Sequence, residues 1–280
     1  MFIFIQFFIC ALASTCTVIK DAHRYTVQEG DATVMHTAYL PGPMPFFFEP
    51  LTAFYTRNII TTPKYHTMSS INNGHSKNIT SAGKSLKDAP KVLIMLHGRG
   101  ASAEDILSLA PHFLLDDFAV LAPQATASTW YPYSFLAPPA QNEPCLSSAL
   151  ALINEIVNDV TAAGIKKENI YFMGFSQGAC LTLEFVTRHA TRFGGVAAFT
   201  GGLIGDKIYA ENYNGSFAGT PVFIGSSDPD PHVPVERVNA SAALIEKMGA
   251  VTTKIIYKNM GHTINGDEIS QVNQLIFKPH

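Results

Sequence analysis

Gly174-Phe175-Ser176-Gln177-Gly178 reads G-x-S-x-G, and its neighbours decide what that means. The apolar run Asn169-Ile170-Tyr171-Phe172-Met173 precedes it, and a helix-compatible run over residues 179–189 follows. Strand, sharp turn and helix form the setting in which such a serine stands exposed at the end of a buried strand. The small residues have a physical task. A turn this tight takes unusual dihedrals and brings the chain close on both sides. Side chains at 174 and 178 would clash there, whereas glycine fits. Ser176 is therefore the candidate nucleophile.

Outward from this turn the pattern is regular. Residues 91–96 (Lys-Val-Leu-Ile-Met-Leu) and 118–123 read as buried strands, and 195–200, 221–224 and 251–257 as further strands. Between them lie helical stretches opening at Ser102 and running to about Leu115, then 145–163 with Gly164 as C-cap, 235–248, and a last one at 267–277. Strands alternating with helices at this spacing predict an α/β fold, with a mostly parallel, doubly wound sheet and helices on both faces. The connections leave no room for a large cap domain. No internal repeat is visible.

In such sheets, function collects at the carboxyl ends of strands. Four of these ends carry polar residues: His97-Gly98-Arg99-Gly100, Ser176, Asp228 or Asp230, and His262. The order Ser, Asp, His is that of a hydrolytic triad. A serine hydroxyl is a poor nucleophile at neutral pH, so His262 is expected to take its proton. An aspartate is expected to fix the imidazole tautomer and stabilise the imidazolium. In Gly225-Ser226-Ser227-Asp228-Pro229-Asp230-Pro231-His232-Val233-Pro234 two acids compete. Counting from the strand gives Asp228. Counting back from Pro-x-Val-Pro gives Asp230, the preferred reading. The backbone N–H groups of Gln177 and Arg99 are expected to hold the oxyanion. On that view Gln177→Ala matters little, since only the main chain acts. His97 is expected to brace the oxyanion loop. His75 and six other histidines have no supporting context, and His232 stands beside the acids without an assigned role. Trp130, Tyr131 and Phe135 lie in the long loop 124–144 and are expected to wall a substrate pocket, with packing as the alternative. No His, Cys, Asp or Glu cluster has metal-ligand spacing, so no metal is expected.

The chain of 280 residues carries a net charge of −3. That balance suggests neither a nucleic-acid groove nor an anionic-membrane surface. Its four cysteines do not form a disulfide scaffold. Residues 1–13 are strongly apolar, too short for a stable membrane span, and lack a positive n-region. Residues 1–16 read as a signal peptide, which implies secretion, or as part of an over-extended gene model whose start is Met68, which implies the cytoplasm. Residues 17–73 read as an extension. Within it 26–39 hints at strand, Phe46-Phe47-Phe48 is a sticky cluster, and 71–77 looks like a flexible lead-in. The catalytic domain is expected over residues 74–280, and a chain beginning at Met68 is expected to be soluble and active.

Residues 74–280 resemble the phospholipase/carboxylesterase family of α/β-hydrolases, which also contains the acyl-protein thioesterases. The matching stretches are Leu96-His97-Gly98-Arg99-Gly100, the elbow itself, Asp230-Pro231-His232-Val233-Pro234 and Gly261-His262. Trp130-Tyr131-Pro132 and Asn142-Glu143-Pro144 look like its smaller carboxylesterase branch. The resemblance implies cofactor-free hydrolysis of a small-molecule carboxylic ester through Ser176, an aspartate and His262. An acyl-protein thioesterase or lysophospholipase is the enzyme alternative, and a non-catalytic ligand-binding hydrolase fold is the alternative of another class. Oligomeric state is not set by anything in the sequence.

Overall fold

The computed structural model describes residues 24–29, 32–37 and 74–278. The strand hint near residues 26–39 resolves into a hairpin of β1 (Arg24–Glu29) and β2 (Ala32–Thr37), antiparallel with Val27 opposite Val34. It falls in a unit spanning Met1–Thr62, and everything from residue 74 onward falls in a second unit. The leader and the Phe46–Phe48 cluster lie outside the described residues.

The second unit is built on seven strands. These are β3 (Ile79–Gly83), β4 (Lys91–Leu96), β5 (Phe118–Pro123), β6 (Ile170–Phe175), β7 (Gly195–Phe199), β8 (Pro221–Asp228) and β9 (Val251–Lys258). Their spatial order is β3-β5-β4-β6-β7-β8-β9, all parallel except β3, which runs antiparallel to β5. Sequence reading places no strand at β3. Its residues, Ile-Thr-Ser-Ala-Gly, are small or polar because it is an edge strand, only half buried.

Five helices cover the sheet among the described residues: α1 (Ala103–Leu107), α2 (Cys145–Ala162), α3 (Gln177–Arg188), α4 (Val235–Lys247) and α5 (Gly266–Val272). Side chains alternate across a strand, and here both faces are apolar. Val92, Ile94 and Leu96 of β4 pack in one core with Ile153 and Val157 of α2, Leu183 of α3 and Ile245 of α4. Leu93 and Met95 face the other core with Ile106 of α1 and Val272 of α5. The doubly wound, mostly parallel architecture is thus the one expected. In the second core Phe118 and Phe277 meet edge-on at 5.5 Å, and Phe113 meets Phe277 at 5.7 Å. Such pairs add about 0.5–1.5 kcal/mol each beyond their buried area.

Two expected helices differ. The stretch opening at Ser102 does not run to Leu115. It stops at Leu107 and resumes as a single turn at Ala110–His112. Pro111 lacks an N–H, and in a continuous helix its ring would meet the carbonyl of Leu107. The last helix ends at Val272 and widens into a π-type turn over Asn273–Phe277. Nor is residue 74 onward a loose lead-in. The N–H of His75 donates to Ser148 Oγ at 2.7 Å, and Lys77 pairs with Glu155 and Asp159. No described helix is long and apolar enough to cross a membrane.

Candidate active site

Ser176 sits between β6 and α3 with φ 54° and ψ −117°. A non-glycine residue held there costs on the order of 1–3 kcal/mol, so its surroundings must over-determine it. They do. Its N–H donates to Phe199 O at 2.9 Å, and its carbonyl accepts from Cys180 N at 3.0 Å, starting α3. A Cβ on Gly178 would lie 2.1 Å from Leu96 O, and one on Gly174 would lie 2.4 Å from Gly178 O. Both glycines are required by contact with backbone, as the sequence pattern predicts.

His262 follows β9 through a turn in which Asn259 and Gly261 have positive φ. That turn is tied to β8, because Gly261 N donates to Ser227 Oγ at 2.9 Å and Asn259 N donates to Asp228 O at 3.0 Å. The imidazole bridges two groups. Nε2 is 2.8 Å from Ser176 Oγ, and Nδ1 is 2.9 Å from Asp230 Oδ2. A carboxylate at Nδ1 places the ring proton there and leaves the Nε2 lone pair for the serine hydroxyl. Asp230, rather than Asp228, therefore faces the histidine. Its other oxygen accepts from His232 N and Val233 N, both at 2.8 Å. Burial alone would raise the Asp230 pKa. The His232 N–H, the His262 bond and the Val233 N–H outweigh burial, and the carboxyl lies below its ordinary value. Asp228 is exposed at the end of β8. The His262 ring also meets Phe175 at 5.3 Å and the edge of His232 at 4.9 Å. That contact gives His232 a place which its sequence position alone does not reveal.

The serine and histidine open into a cavity of about 640 Å³, also lined by Arg99, Gln177, Tyr131, Phe135, Cys180 and Val233. Tyr131 and Phe135 thus stand where a substrate wall was expected. Trp130 does not. It is wholly buried, donates Nε1–H to His97 O at 2.9 Å, and packs against the tilted rings of His97 and His75. Its indole braces the 97–100 loop from behind because a buried N–H needs an acceptor. His97 is a brace as expected. Nε2 accepts from Ala125 N at 3.1 Å, Nδ1 is 2.7 Å from Gly98 O, and burial lowers its pKa so that it stays neutral. His75, without context in sequence, accepts from Thr126 N at Nδ1 and donates Nε2–H to Trp130 O. Cys180 is inert, since burial pushes its thiol up to about 12.

The side chains of Arg99 and Gln177 do more than sequence reasoning assigned. Arg99 Nη1 donates to Thr129 Oγ1 and Pro132 O, both at 2.9 Å. Its Nη2 donates to Tyr131 O at 2.9 Å and Tyr133 O at 2.7 Å. Gln177 Oε1 accepts from Trp130 N at 3.0 Å, and its Nε2 donates to Tyr131 O at 2.8 Å. These side-chain contacts of Gln177 are ones that sequence reading did not assign. Its side chain is buried and pins the aromatic wall. Below the acid loop, Glu268 of α5 is wholly buried. Oε2 accepts from Asn265 N, while Oε1 lies against Gly225 of β8. Burial raises its pKa to about 7.

Comparison with known proteins agrees with this geometry. The sequence pattern of the phospholipase/carboxylesterase family matches residues 78–280. A crystal structure of a phospholipase/carboxylesterase from Dyadobacter fermentans is 54% identical, with a TM-score of 0.72, covering 73% of this chain and 98% of that one. A probable carboxylesterase of Oryza sativa subsp. japonica is 26% identical over 202 residues, 66% of this chain and 86% of that protein. Acyl-protein thioesterase 1 of Kluyveromyces lactis is 32% identical over 139 residues, 48% of this chain and 60% of that protein. Because the match runs from the edge strand β3 through the elbow to the last helix, the chain belongs to the phospholipase/carboxylesterase family of α/β-hydrolases.

Proposed function

We infer that this esterase-type hydrolase is a serine carboxylesterase working through Ser176, His262 and Asp230. One observation carries the reading: a single imidazole hydrogen-bonded both to the elbow serine and to a buried carboxylate, at the mouth of an aromatic-walled cavity. Ser176 Oγ attacks the ester carbonyl as His262 Nε2 takes its proton. The oxyanion is held by the main-chain N–H groups of Gln177 and Arg99. Collapse of the tetrahedral adduct expels the alcohol, protonated by His262, and leaves an acyl-serine. Water, deprotonated by the same imidazole, then releases the acid. Asp230 stays ionised and stabilises the imidazolium.

Labelling of Ser176 by a fluorophosphonate, with turnover of a p-nitrophenyl ester, tests the reading. Ser176→Ala should fold normally and lose about 10⁴–10⁶ in kcat. Activity within about tenfold of wild type would put the nucleophile elsewhere. Absence of labelling and turnover in the wild-type chain would favour a ligand-binding role. The relative named as a thioesterase makes the matching thioester the second substrate to assay.

A further inference from the structure

A second groove of about 320 Å³ borders the catalytic cavity, sharing Gly98, Ala101 and Phe175 with it. Its walls are apolar. Ile106 comes from α1, Leu109 from the turn that follows, Phe175 from the end of β6, and Ile264 from the loop after His262. Leu109, Phe175 and Ile264 are only partly buried against the second core, so each keeps a flank toward the groove. Among the described residues Asp105 is the one carboxylate in the lining, and it is engaged in capping α1, where its Oδ2 accepts from Ser102 N at 2.8 Å. His97 is the other titratable group there, and both its ring nitrogens are held by main-chain groups. Among the described residues, no lysine or arginine lines the groove. A charged occupant finds no counter-ion, whereas a hydrocarbon one finds four apolar side chains.

The position of the groove selects which half of an ester enters it. An expelled alcohol leaves beside the imidazole that protonates it. Phe175, the shared wall, packs its ring against that of His262, tilted and 5.3 Å away, and Thr263 and Ile264 directly follow that histidine in the chain. The larger cavity, with Tyr131, Phe135 and Cys180, is left for the acyl half. We propose that the Ile106–Leu109–Phe175–Ile264 groove is an alcohol subsite, so that the preferred substrates are esters of linear, uncharged aliphatic alcohols. This rests on the esterase reading of Ser176 and His262.

The test uses the full chain and two substrate series followed by acid release. Alkyl acetates from ethyl to hexyl vary the alcohol, and ethyl esters from acetate to hexanoate vary the acyl group. Each methylene moved from water into the groove should raise kcat/KM by about two- to fourfold, so the hexyl-to-ethyl ratio among acetates should reach at least about tenfold. Leu109→Trp, which fills the groove, and Ile264→Gln, which makes it polar, should each bring that ratio near one. Neither should change the slope of the acyl series. Because the two positions lie on separate elements, misfolding of one variant leaves the other as the test. A flat alcohol series in the wild-type chain overturns the proposal, as does equal flattening of both series by either variant. In those cases fluorophosphonate labelling of Ser176 and turnover of ethyl acetate persist, so the esterase reading stands. If no ester is turned over and Ser176 is not labelled, the esterase reading falls and the subsite with it.

Discussion

Removing the Gln177 side chain separates its main-chain role from its side-chain role. Gln177→Ala keeps the N–H proposed to hold the oxyanion. It deletes the bonds to Trp130 N at 3.0 Å and Tyr131 O at 2.8 Å, and a weaker one from Thr129 Oγ1 at 3.3 Å. The three losses are unequal. Tyr131 O still accepts from Arg99 Nη2 and Thr129 Oγ1, and the Thr129 hydroxyl turns to that carbonyl. Trp130 N loses the acceptor that served it, in a wholly buried residue. An unsatisfied buried N–H costs about 1–3 kcal/mol, and the vacated amide adds a cavity term of about 1 kcal/mol. Urea unfolding should therefore show a loss on the order of 2–4 kcal/mol. On a p-nitrophenyl ester KM should rise about tenfold as the 129–133 wall loosens, while kcat falls less. Gln177→Glu refines the test. It retains an acceptor for Trp130 N but sets a carboxylate oxygen against Tyr131 O, so it should destabilise through the other contact. Stability within about 0.5 kcal/mol of wild type, with KM unchanged, would refute the clamp and restore the main chain as the whole role of Gln177.

Other substitutions probe the remaining structure. Asp230→Asn should cost about 10⁴ in kcat through the wrong histidine tautomer, against about tenfold or less for exposed Asp228→Asn, measured on the same ester. The reverse ranking would move the acid. Glu268 is raised to about 7 in the fold from an ordinary 4.5. Below pH 4.5 it is protonated whether folded or not. As pH rises toward and past 7 the unfolded chain ionises first, and the fold loses stability on the order of 3 kcal/mol. Glu268→Gln should thus shrink the drop in Tm between pH 5 and pH 8, and an unchanged pH slope would sink the idea. Gly178→Ala sets a Cβ 2.1 Å from Leu96 O, a backbone atom that cannot swing away. It should destabilise by about 4 kcal/mol or more, and a normal urea midpoint would contradict the packing.

How much of this was legible in sequence depended on range. Strands β4 to β8 announce themselves through apolar runs buried on both faces, and β9 through its β-branched and aromatic residues. Strand β3 does not, since Thr80 and Ser81 on an edge read as loop. The serine, the histidine and their order follow from local turn chemistry. The carboxylate that meets His262 is readable only from the far side of its loop, through Pro-x-Val-Pro, and it is Asp230. Arg99 and Gln177 mislead because their side-chain partners lie 30 to 48 residues away. No local pattern predicts which long polar side chain folds back onto a carbonyl. Trp130 misleads in the opposite way. An aromatic in a long loop suggests a ligand wall, but its indole N–H found an acceptor at His97 O first.

The missing Cβ of Gly178 has a wider consequence. A Cβ there would lie 2.1 Å from Leu96 O and 2.6 Å from His97 O, so there is no slack between the helix that follows the serine and the loop carrying Arg99. These two segments supply the two proposed oxyanion donors, so their spacing is fixed by the central strands. Reorganisation is then completed once, during folding, and not repeated at every turnover. It also channels how the enzyme can diversify. A changed side chain at the rims 129–135, 232–233 and 263–264 would alter what fits without touching that contact. The reacting centre itself is locked to the sheet and admits little variation.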